Sequence, residues 1–551
     1  MTQVKRRKVG KASAVTTSRF TMYSHPLGVR PLGNSLAASL DPSIQKKRIE
    51  LMGLWHLLPD EIIMNILGMV EDPLDLMRLG HASRILYAYT YTEELWRNMY
   101  SRNPWELQEW KGSWRKTILG IDAEEEVTIL CGQNLVCSDV LYRPFQCSQV
   151  SYAEIFQSLI AEQTQDRELF RLTDEHVSIQ KGRITRVKDM SPTLFAAEFH
   201  DTPFICPSFD WPNWDLDYLK NRFPDVKFRQ ESAKWPLAVY AQYCRKNADE
   251  SPLYLFDCSS EAMKVLRKEY AVPRFSQDDL FEVFNKQGIE CRPDYAWIII
   301  GPAGSGSTFH KDPNHTSAWN AALTGRKLWH MLPHDVVPPG VSTDREENEV
   351  TSPIGLAEWV VGGFFNDCVK LCEKGLCQIG ITFPGECMYV PAGWWHSVIN
   401  LDDSVALTQN FVPTPKLAHA LNFLKNKPQQ VSGFHGADVR KSVRHLLDTR
   451  EIAENKRRTF ENFLESKTSD NNEDCGVLTD FSLPVLELFE ELLIANGLEA
   501  ALTKAQLELA VLEKESRKNE PKEVKRNEVW DSLVEGASTG FSFGFGDEEE
   551  D

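Results

Sequence analysis

Ser307-Thr308-Phe309-His310-Lys311-Asp312-Pro313, followed 84 residues beyond Asp312 by Pro391-Ala392-Gly393-Trp394-Trp395-His396, decides how this chain is read. Side chains at i and i+2 of a strand share a face, so His310 and Asp312 would enter one cavity while Lys311 turns away. His396, brought in from a distant strand, would complete a facial triad of two imidazoles and one carboxylate, leaving adjacent positions open on octahedral iron(II). Such a centre keeps residual positive charge, suited to chelating a 2-oxo acid and then activating dioxygen. Zinc, which prefers closed tetrahedral sites or three ligands plus water, is the poorer occupant. His-x-Asp alone is a weak signal, since such tripeptides arise by chance. His396 says more, because Gly385-Glu386-Cys387-Met388-Tyr389-Val390-Pro391 reads as a strand entering a tight turn, with Trp394 and Trp395 as a dry wall. His315, His330 and His334 take the ordinary reading of satisfied core histidines.

A 2-oxo diacid also needs a cation for its remote carboxylate. Lys327 lies fifteen residues after Asp312 in Gly325-Arg326-Lys327-Leu328-Trp329, where strand alternation points Lys327 and Trp329 to one side. Taken in isolation, a lysine here would be a solvated one. Thr408, in Ala406-Leu407-Thr408-Gln409-Asn410-Phe411, offers an added hydroxyl.

Working outward, residues 300–415 show short apolar runs broken by Gly, Pro and Asn, as in a barrel or sandwich. Residues 125–300 mix helices with strand-like runs at Tyr254 to Phe256 and Trp297 to Ile300. From 416 to 535 the pattern is helical, with Leu486, Phe489 and Leu493 on one face, a stop at Asn496-Gly497 and a polar linker near 467–476. Toward the N-terminus, Leu57-Leu58-Pro59-Asp60-Glu61-Ile62-Ile63-Met64-Asn65-Ile66-Leu67 opens a helix with Ile62 and Ile66 on one face. Leu76 with Leu79, and then Glu94-Leu95-Trp96, mark two more helices, so 51–102 reads as a three-helix bundle. Residues 1–50 form a basic tail expected to be disordered, and 536–551 an acidic one.

Composition bounds the function. The net charge of −18 argues against a general nucleic-acid coat, which needs a positive surface. Twelve cysteines, without a Cys-x2-Cys pair and with Cys368, Cys372 and Cys377 off zinc-finger spacing, read as reduced thiols. No run approaches the ~18 apolar residues of a membrane span. The run Lys5, Arg6, Arg7, Lys8 reads as a nuclear-localisation signal or as a plain basic tail. The expected compartment is therefore the nucleus, with the cytoplasm as the second.

Two resemblances carry these readings further. The runs GPAGSGSTFHKDPNHTSAWNAALTGRKLWHMLP and GECMYVPAGWWHSVINLDDSVALTQNF, with SPLYLFD and VPRFSQDDLF upstream, resemble the JmjC family of iron(II)- and 2-oxoglutarate-dependent oxygenases. Within that family they look like the branch of the lysyl hydroxylase and arginine demethylase once described as a phosphatidylserine receptor, and the likeness spans about Thr202 to Lys425. It implies an α+β fold: a double-stranded β-helix, a jelly-roll or cupin-like barrel in a helical surround. It implies iron ligands at His310, Asp312 and His396, and 2-oxoglutarate contacts at Lys327, Thr408, Asn320 and Tyr254. Ser307 stands where that branch has threonine, and Trp297 and Asn410 also match. The Leu-Pro-Asp-Glu-Ile opening, Leu74, Leu76, Leu79, the Ala82-Ser83-Arg84 step and Leu95-Trp96-Arg97 resemble the F-box, which implies docking of residues 54–100 onto the Skp-type adaptor of a cullin ubiquitin ligase. An ordinary helical subdomain is the plain alternative.

The chain departs from the JmjC branch over 335–380, in carrying an F-box, and in lacking a serine-rich basic tail. Substrate choice usually lies in such loops. Three functions compete. The first is hydroxylation of a protein lysine, with 2-oxoglutarate and dioxygen giving succinate and carbon dioxide. The second is N-methyl demethylation of histone arginine or lysine, for which many lysine demethylases carry Glu in place of Asp312. The third is a non-catalytic F-box receptor with a degenerate barrel. The expected substrate is a protein, whether a histone or a factor of RNA processing or translation. The helices after Pro413 offer a surface for a homodimer.

Overall fold

The computed structural model describes residues 42–122, 147–172, 182–206, 210–343, 355–466 and 483–518, together with Arg30–Pro31, Val136–Cys137, Pro144 and Val350–Thr351. The basic run at Lys5 to Lys8, the linker near 467–476 and the acidic tail 536–551 lie outside these residues.

Thirteen strands build the central sheets: β1 (Thr185–Arg186), β2 (Phe204–Cys206), β3 (Lys227–Gln230), β4 (Ala233–Pro236), β5 (Leu255–Asp257), β6 (Ala296–Gly301), β7 (Gly306–His310), β8 (Ser317–Thr324), β9 (Lys327–Leu332), β10 (Gln378–Thr382), β11 (Cys387–Val390), β12 (Trp395–Asn400) and β13 (Ser404–Phe411). The larger sheet has the order β1-β2-β11-β8-β13-β6-β5-β3-β4, and the smaller β10-β9-β12-β7. From β6 onward the chain passes from one sheet to the other at every step except β9 to β10, which are neighbours in the smaller sheet, in the crossing pattern of a jelly roll. Ile184, Ile205, Ala318, Trp329, Met331, Met388, Val390, Trp394 and Val398 pack together between the sheets.

Within the mixed segment 125–300, the strands from Thr185 onward belong to the larger sheet of the barrel. Their pattern is hard to see because they are two to six residues long and separated by helices.

The helices cover the outer faces. Leu356–Val361 and Phe364–Lys374 lie over the smaller sheet, where Trp359, Phe365 and Cys368 pack with Leu328, Ile379, Ile381 and Ile399. The C-terminal helices Leu417–Asn426, Gly436–Thr449, Glu454–Glu465, Val485–Ala495 and Glu499–Lys518 bury their apolar faces within the same chain, with Phe489 stacked on Phe284. The first of them lies against the turn Pro313–His315, beside Asp312.

At the N-terminus the structure replaces three helices by four: Asp60–Gly68, Pro73–Gly80, Arg84–Thr90 and Glu93–Arg102. Two side-chain caps make the division. Asp72 accepts from the Leu74 and Asp75 backbone N–H groups ahead of Pro73, and Ser83 accepts from that of Leu86. The buried face of the first helix is Ile63 and Leu67, whereas Ile62 and Ile66 face outward. Helix also extends into the expected tail, over Pro42–Met52, where charged residues hide the apolar pattern.

Candidate iron and 2-oxoglutarate site

β7 ends at His310, two residues earlier than an in-strand His-x-Asp requires. Asp312 still follows in extended backbone (φ −64°, ψ 147°), because Pro313 disfavours helical geometry in the residue before it. The alternation thus survives although the ladder has stopped. His396 is the register partner of His310 across β12 and β7, and the two imidazole centroids lie 4.2 Å apart. One donor atom from each of His310, Asp312 and His396 falls within 4.8 Å of the other two. His396 arrives through the turn at Gly393, whose positive φ (76°) and 2.6 Å approach of a would-be Cβ to the His315 ring exclude other residues.

The chemistry of this set fits a divalent iron ion. His310 Nδ1 lies 2.8 Å from the Thr308 carbonyl and His396 Nδ1 3.2 Å from that of Trp394. With each Nδ1–H donating, each Nε2 is left to bind metal. Burial, with His310 beside it, pushes His396 well below the usual imidazole pKa, which keeps it neutral. Asp312 Oδ2 is buried without a hydrogen-bond partner, and burial pushes that carboxyl up to about 6. A bound cation would reverse both penalties.

Deeper in the barrel, Lys327 is fully buried at the start of β9. Trp329, two residues on, belongs to the interior cluster, so Lys327 points inward as well. Its Nζ donates to Tyr254 Oη (2.8 Å) and Asn400 Oδ1 (3.0 Å). Burial lowers its pKa to about 7. Neither partner is an anion, so a carboxylate is the missing complement. Asn400 was not foreseen. It is the register partner of Lys327 on β12 and stands alone as a polar residue in Val398-Ile399-Asn400-Leu401, a signal open to strand alternation once pairing is known.

Thr408 and Asn320 are register partners on β13 and β8, and Trp297 pairs Thr408 from β6. Thr408 Oγ1 donates to the Trp319 carbonyl, and Asn320 Oδ1 is buried without a partner. Asn410 Nδ2 donates to Thr316 Oγ1 (2.7 Å) near Asp312. Ser307 lies apart from these, in a recess of about 320 Å³ that it shares with His310, Glu231, Ser251 and Leu356. A second cleft, of about 430 Å³, reaches His310 and Asp312 from the side of the helix Leu417–Asn426 and is lined by Lys311, His334, Asn422, Asn426 and Gln430. Of the three histidines read as core, only His330 is one: it lies among Phe309, Trp359 and Phe365 with Nδ1 3.0 Å from Ser397 Oγ. His315 and His334 line the second cleft instead.

A jelly-roll barrel with a His-x-Asp…His triad and a buried lysine defines a cupin-type oxygenase. A cupin-like domain model matches residues 220–417, and an F-box-like model matches 55–102. The chain is 35% identical over 431 residues to the arginine-specific demethylase JMJ22 of Arabidopsis thaliana, covering 74% of this chain and 77% of that protein. It is 32% identical over 214 residues to the bifunctional arginine demethylase and lysyl-hydroxylase psr-1 of Caenorhabditis elegans, 37% of this chain and 52% of that one. To the 2-oxoglutarate and iron-dependent oxygenase JMJD4 of Homo sapiens it is 32% identical over 227 residues, 38% and 48% of the two chains. The chain belongs to the JmjC family of cupin-like oxygenases that use iron(II) and 2-oxoglutarate, and it carries an F-box-like domain at its N-terminal side.

Iron(II) with 2-oxoglutarate and dioxygen supplies the oxidising power to hydroxylate an unactivated C–H bond. His310, Asp312 and His396 would hold the metal. Lys327, steadied by Tyr254 and Asn400, would hold the remote carboxylate of the co-substrate, with Asn320 and Thr408 alongside. The buried walls at Trp329, Trp394 and Val398 exclude water from the space between.

Proposed function

We propose that this oxygenase hydroxylates a lysine side chain of a protein substrate entering by the cleft beside the helix Leu417–Asn426. The observation that carries the reading is that this cleft opens directly on His310 and Asp312 and is lined by the amide side chains of Asn422, Asn426 and Gln430, groups that hydrogen-bond a polypeptide backbone. Asp312, rather than Glu, as carboxylate ligand supports the same reading. N-methyl demethylation of arginine is the second reading, favoured by the likeness to JMJ22 over most of both chains. Histones and factors of RNA processing or translation are the substrate classes to screen. Purified protein with iron(II) and 2-oxoglutarate should release succinate, and His310→Ala should abolish this. Mass spectrometry of a peptide-library reaction then separates the readings: gain of one oxygen on lysine supports hydroxylation, and loss of a methyl group from arginine replaces it by demethylation.

The F-box-like domain would bind a Skp-type adaptor of a cullin ligase. Leu54, Leu57, Ile62, Ile66, Met69 and Leu74 are all exposed on it, an apolar surface of the kind that marks a protein interface. Substrate hydroxylation and ligase recruitment would then reside in one chain. The basic run at Lys5 to Lys8 supports a nuclear location, which a fluorescent fusion with those four residues changed to alanine would test by losing nuclear signal.

A further inference from the structure

Arg97 closes the F-box-like pattern, yet it takes no part in the exposed apolar surface. Its side chain, 20% exposed, reaches out of the helix Glu93–Arg102 into the oxygenase. Nη2 donates to Glu231 Oε2 (2.8 Å), and Nη1 donates to the Ser251 carbonyl (2.6 Å) and lies 3.3 Å from Asp249 Oδ2. Glu231 sits at the tip of the β3–β4 hairpin with a positive φ of 51°, as a two-residue hairpin turn requires, so its side chain is fixed by the turn and by Arg97 together. Its other oxygen, Oε1, accepts from the Tyr254 backbone N–H at 3.3 Å. The Tyr254 hydroxyl in turn accepts from Lys327. A path of hydrogen bonds through the Glu231 carboxylate and the length of the Tyr254 side chain therefore joins the F-box-like helix to the lysine of the co-substrate pocket. The same two groups that Arg97 grips, Glu231 and Ser251, also line the recess that ends on Ser307 and His310.

We propose that Arg97 is a positioning residue for 2-oxoglutarate: by holding Glu231 and the 249–254 segment it sets the height of Tyr254, and hence of Lys327, in the barrel. This rests on the reading of Lys327 as the carboxylate anchor. Guanidinium serves here because its planar fork reaches a carboxylate and a carbonyl at once, which an ammonium does not reproduce.

The test is titration of 2-oxoglutarate into the full-length protein loaded with manganese(II), read by calorimetry, on wild type, Arg97→Ala, Arg97→Lys, Glu231→Gln, Lys327→Ala and Leu67→Ala. Arg97→Ala and Glu231→Gln should weaken binding by roughly fivefold or more, Arg97→Lys less, with manganese affinity unchanged. In turnover the KM for 2-oxoglutarate should rise while kcat changes little. Leu67→Ala loosens the same helical bundle without touching the path, and its affinity should match wild type. The proposal is overturned if Arg97→Ala and Glu231→Gln both bind within about twofold of wild type while Lys327→Ala binds weakly. It is overturned equally if Leu67→Ala weakens binding as much as Arg97→Ala does. A Lys327→Ala protein that binds like wild type removes the anchor reading itself, and the proposal with it.

Discussion

Lys327 carries the charge that the barrel interior leaves without an anion. Only its protonated form attracts a carboxylate, and burial places its pKa at about 7 before the co-substrate arrives. Affinity for 2-oxoglutarate should therefore be full below that pH and fall by about tenfold per pH unit above it, until the bound state's own, raised pKa is passed. Calorimetric titrations across neutral pH check this, and a flat profile would show that the lysine stays charged throughout. A charge-assisted hydrogen bond is worth about 1.5–3 kcal/mol, so Lys327→Ala should weaken 2-oxoglutarate by one to two orders of magnitude. At this scale much was legible. His310, Asp312 and His396 were readable together because metal binding demands particular residue types at particular spacings, whereas Lys327, a solvated lysine in isolation, was picked out by the co-substrate's need for a cation and by the resemblance. Asn400 was not readable, since its role depends on which strand lies beside Lys327, and Tyr254 was expected from the resemblance alone.

Gly301 ends β6 under Tyr254. A Cβ there would stand 2.6 Å from Tyr254 Cδ2 and 2.2 Å from Ser305 Oγ. Gly301→Ala should therefore displace Tyr254, lower Tm and raise the KM for 2-oxoglutarate together. An unchanged KM would mean that the ring has another way to settle. The helix Asp60–Gly68 gives the complementary case. Ile62 and Ile66 are exposed while Ile63 and Leu67 are buried, so Ile62→Asp with Ile66→Asp should abolish adaptor co-purification yet leave Tm nearly unchanged, as surface substitutions do. Helical spacing found this helix and put Ile62 and Ile66 on one face, but it did not say which face is buried. The segment is apolar on more than one face, and periodicity cannot tell which face meets its own chain and which awaits another.

Over the whole molecule, the F-box-like bundle and the barrel share one aromatic seam. Tyr100, Trp110 and Trp114 pack edge-on or tilted against Trp235 and Tyr243 of the oxygenase, with Trp235 Nε1 donating to Tyr100 Oη at 2.8 Å and Trp114 Nε1 to Asp249 at 2.9 Å. Glu93, half-buried beside this seam, accepts from the Trp114 N–H, and burial pushes its carboxyl up to about 8. Removing a fully buried tryptophan side chain costs about 3–5 kcal/mol, and Trp235→Ala should lower the unfolding free energy by that amount. Deleting residues 1–122 would expose the whole seam, and the remaining barrel should be insoluble or markedly lower in Tm by calorimetry. A deletion as stable as the full chain would show the two parts to be independent domains.

The sequence by itself pointed to the chemistry: residue types and spacing offered His310, Asp312 and His396 as a facial triad, because metal ligation is written in local side-chain identity. The resemblance to the JmjC family then implied Lys327 as the co-substrate's cation and narrowed a barrel or sandwich to the double-stranded β-helix. What only the tertiary structure decided is how distant segments meet: that strands before residue 300 extend the barrel's sheet, that Asn400 and Tyr254 hold Lys327, and that Arg97 leaves its own bundle to grip Glu231. These contacts join residues more than 70 positions apart in the chain, and such pairing is set by packing and by which buried polar groups find partners, which no local pattern records.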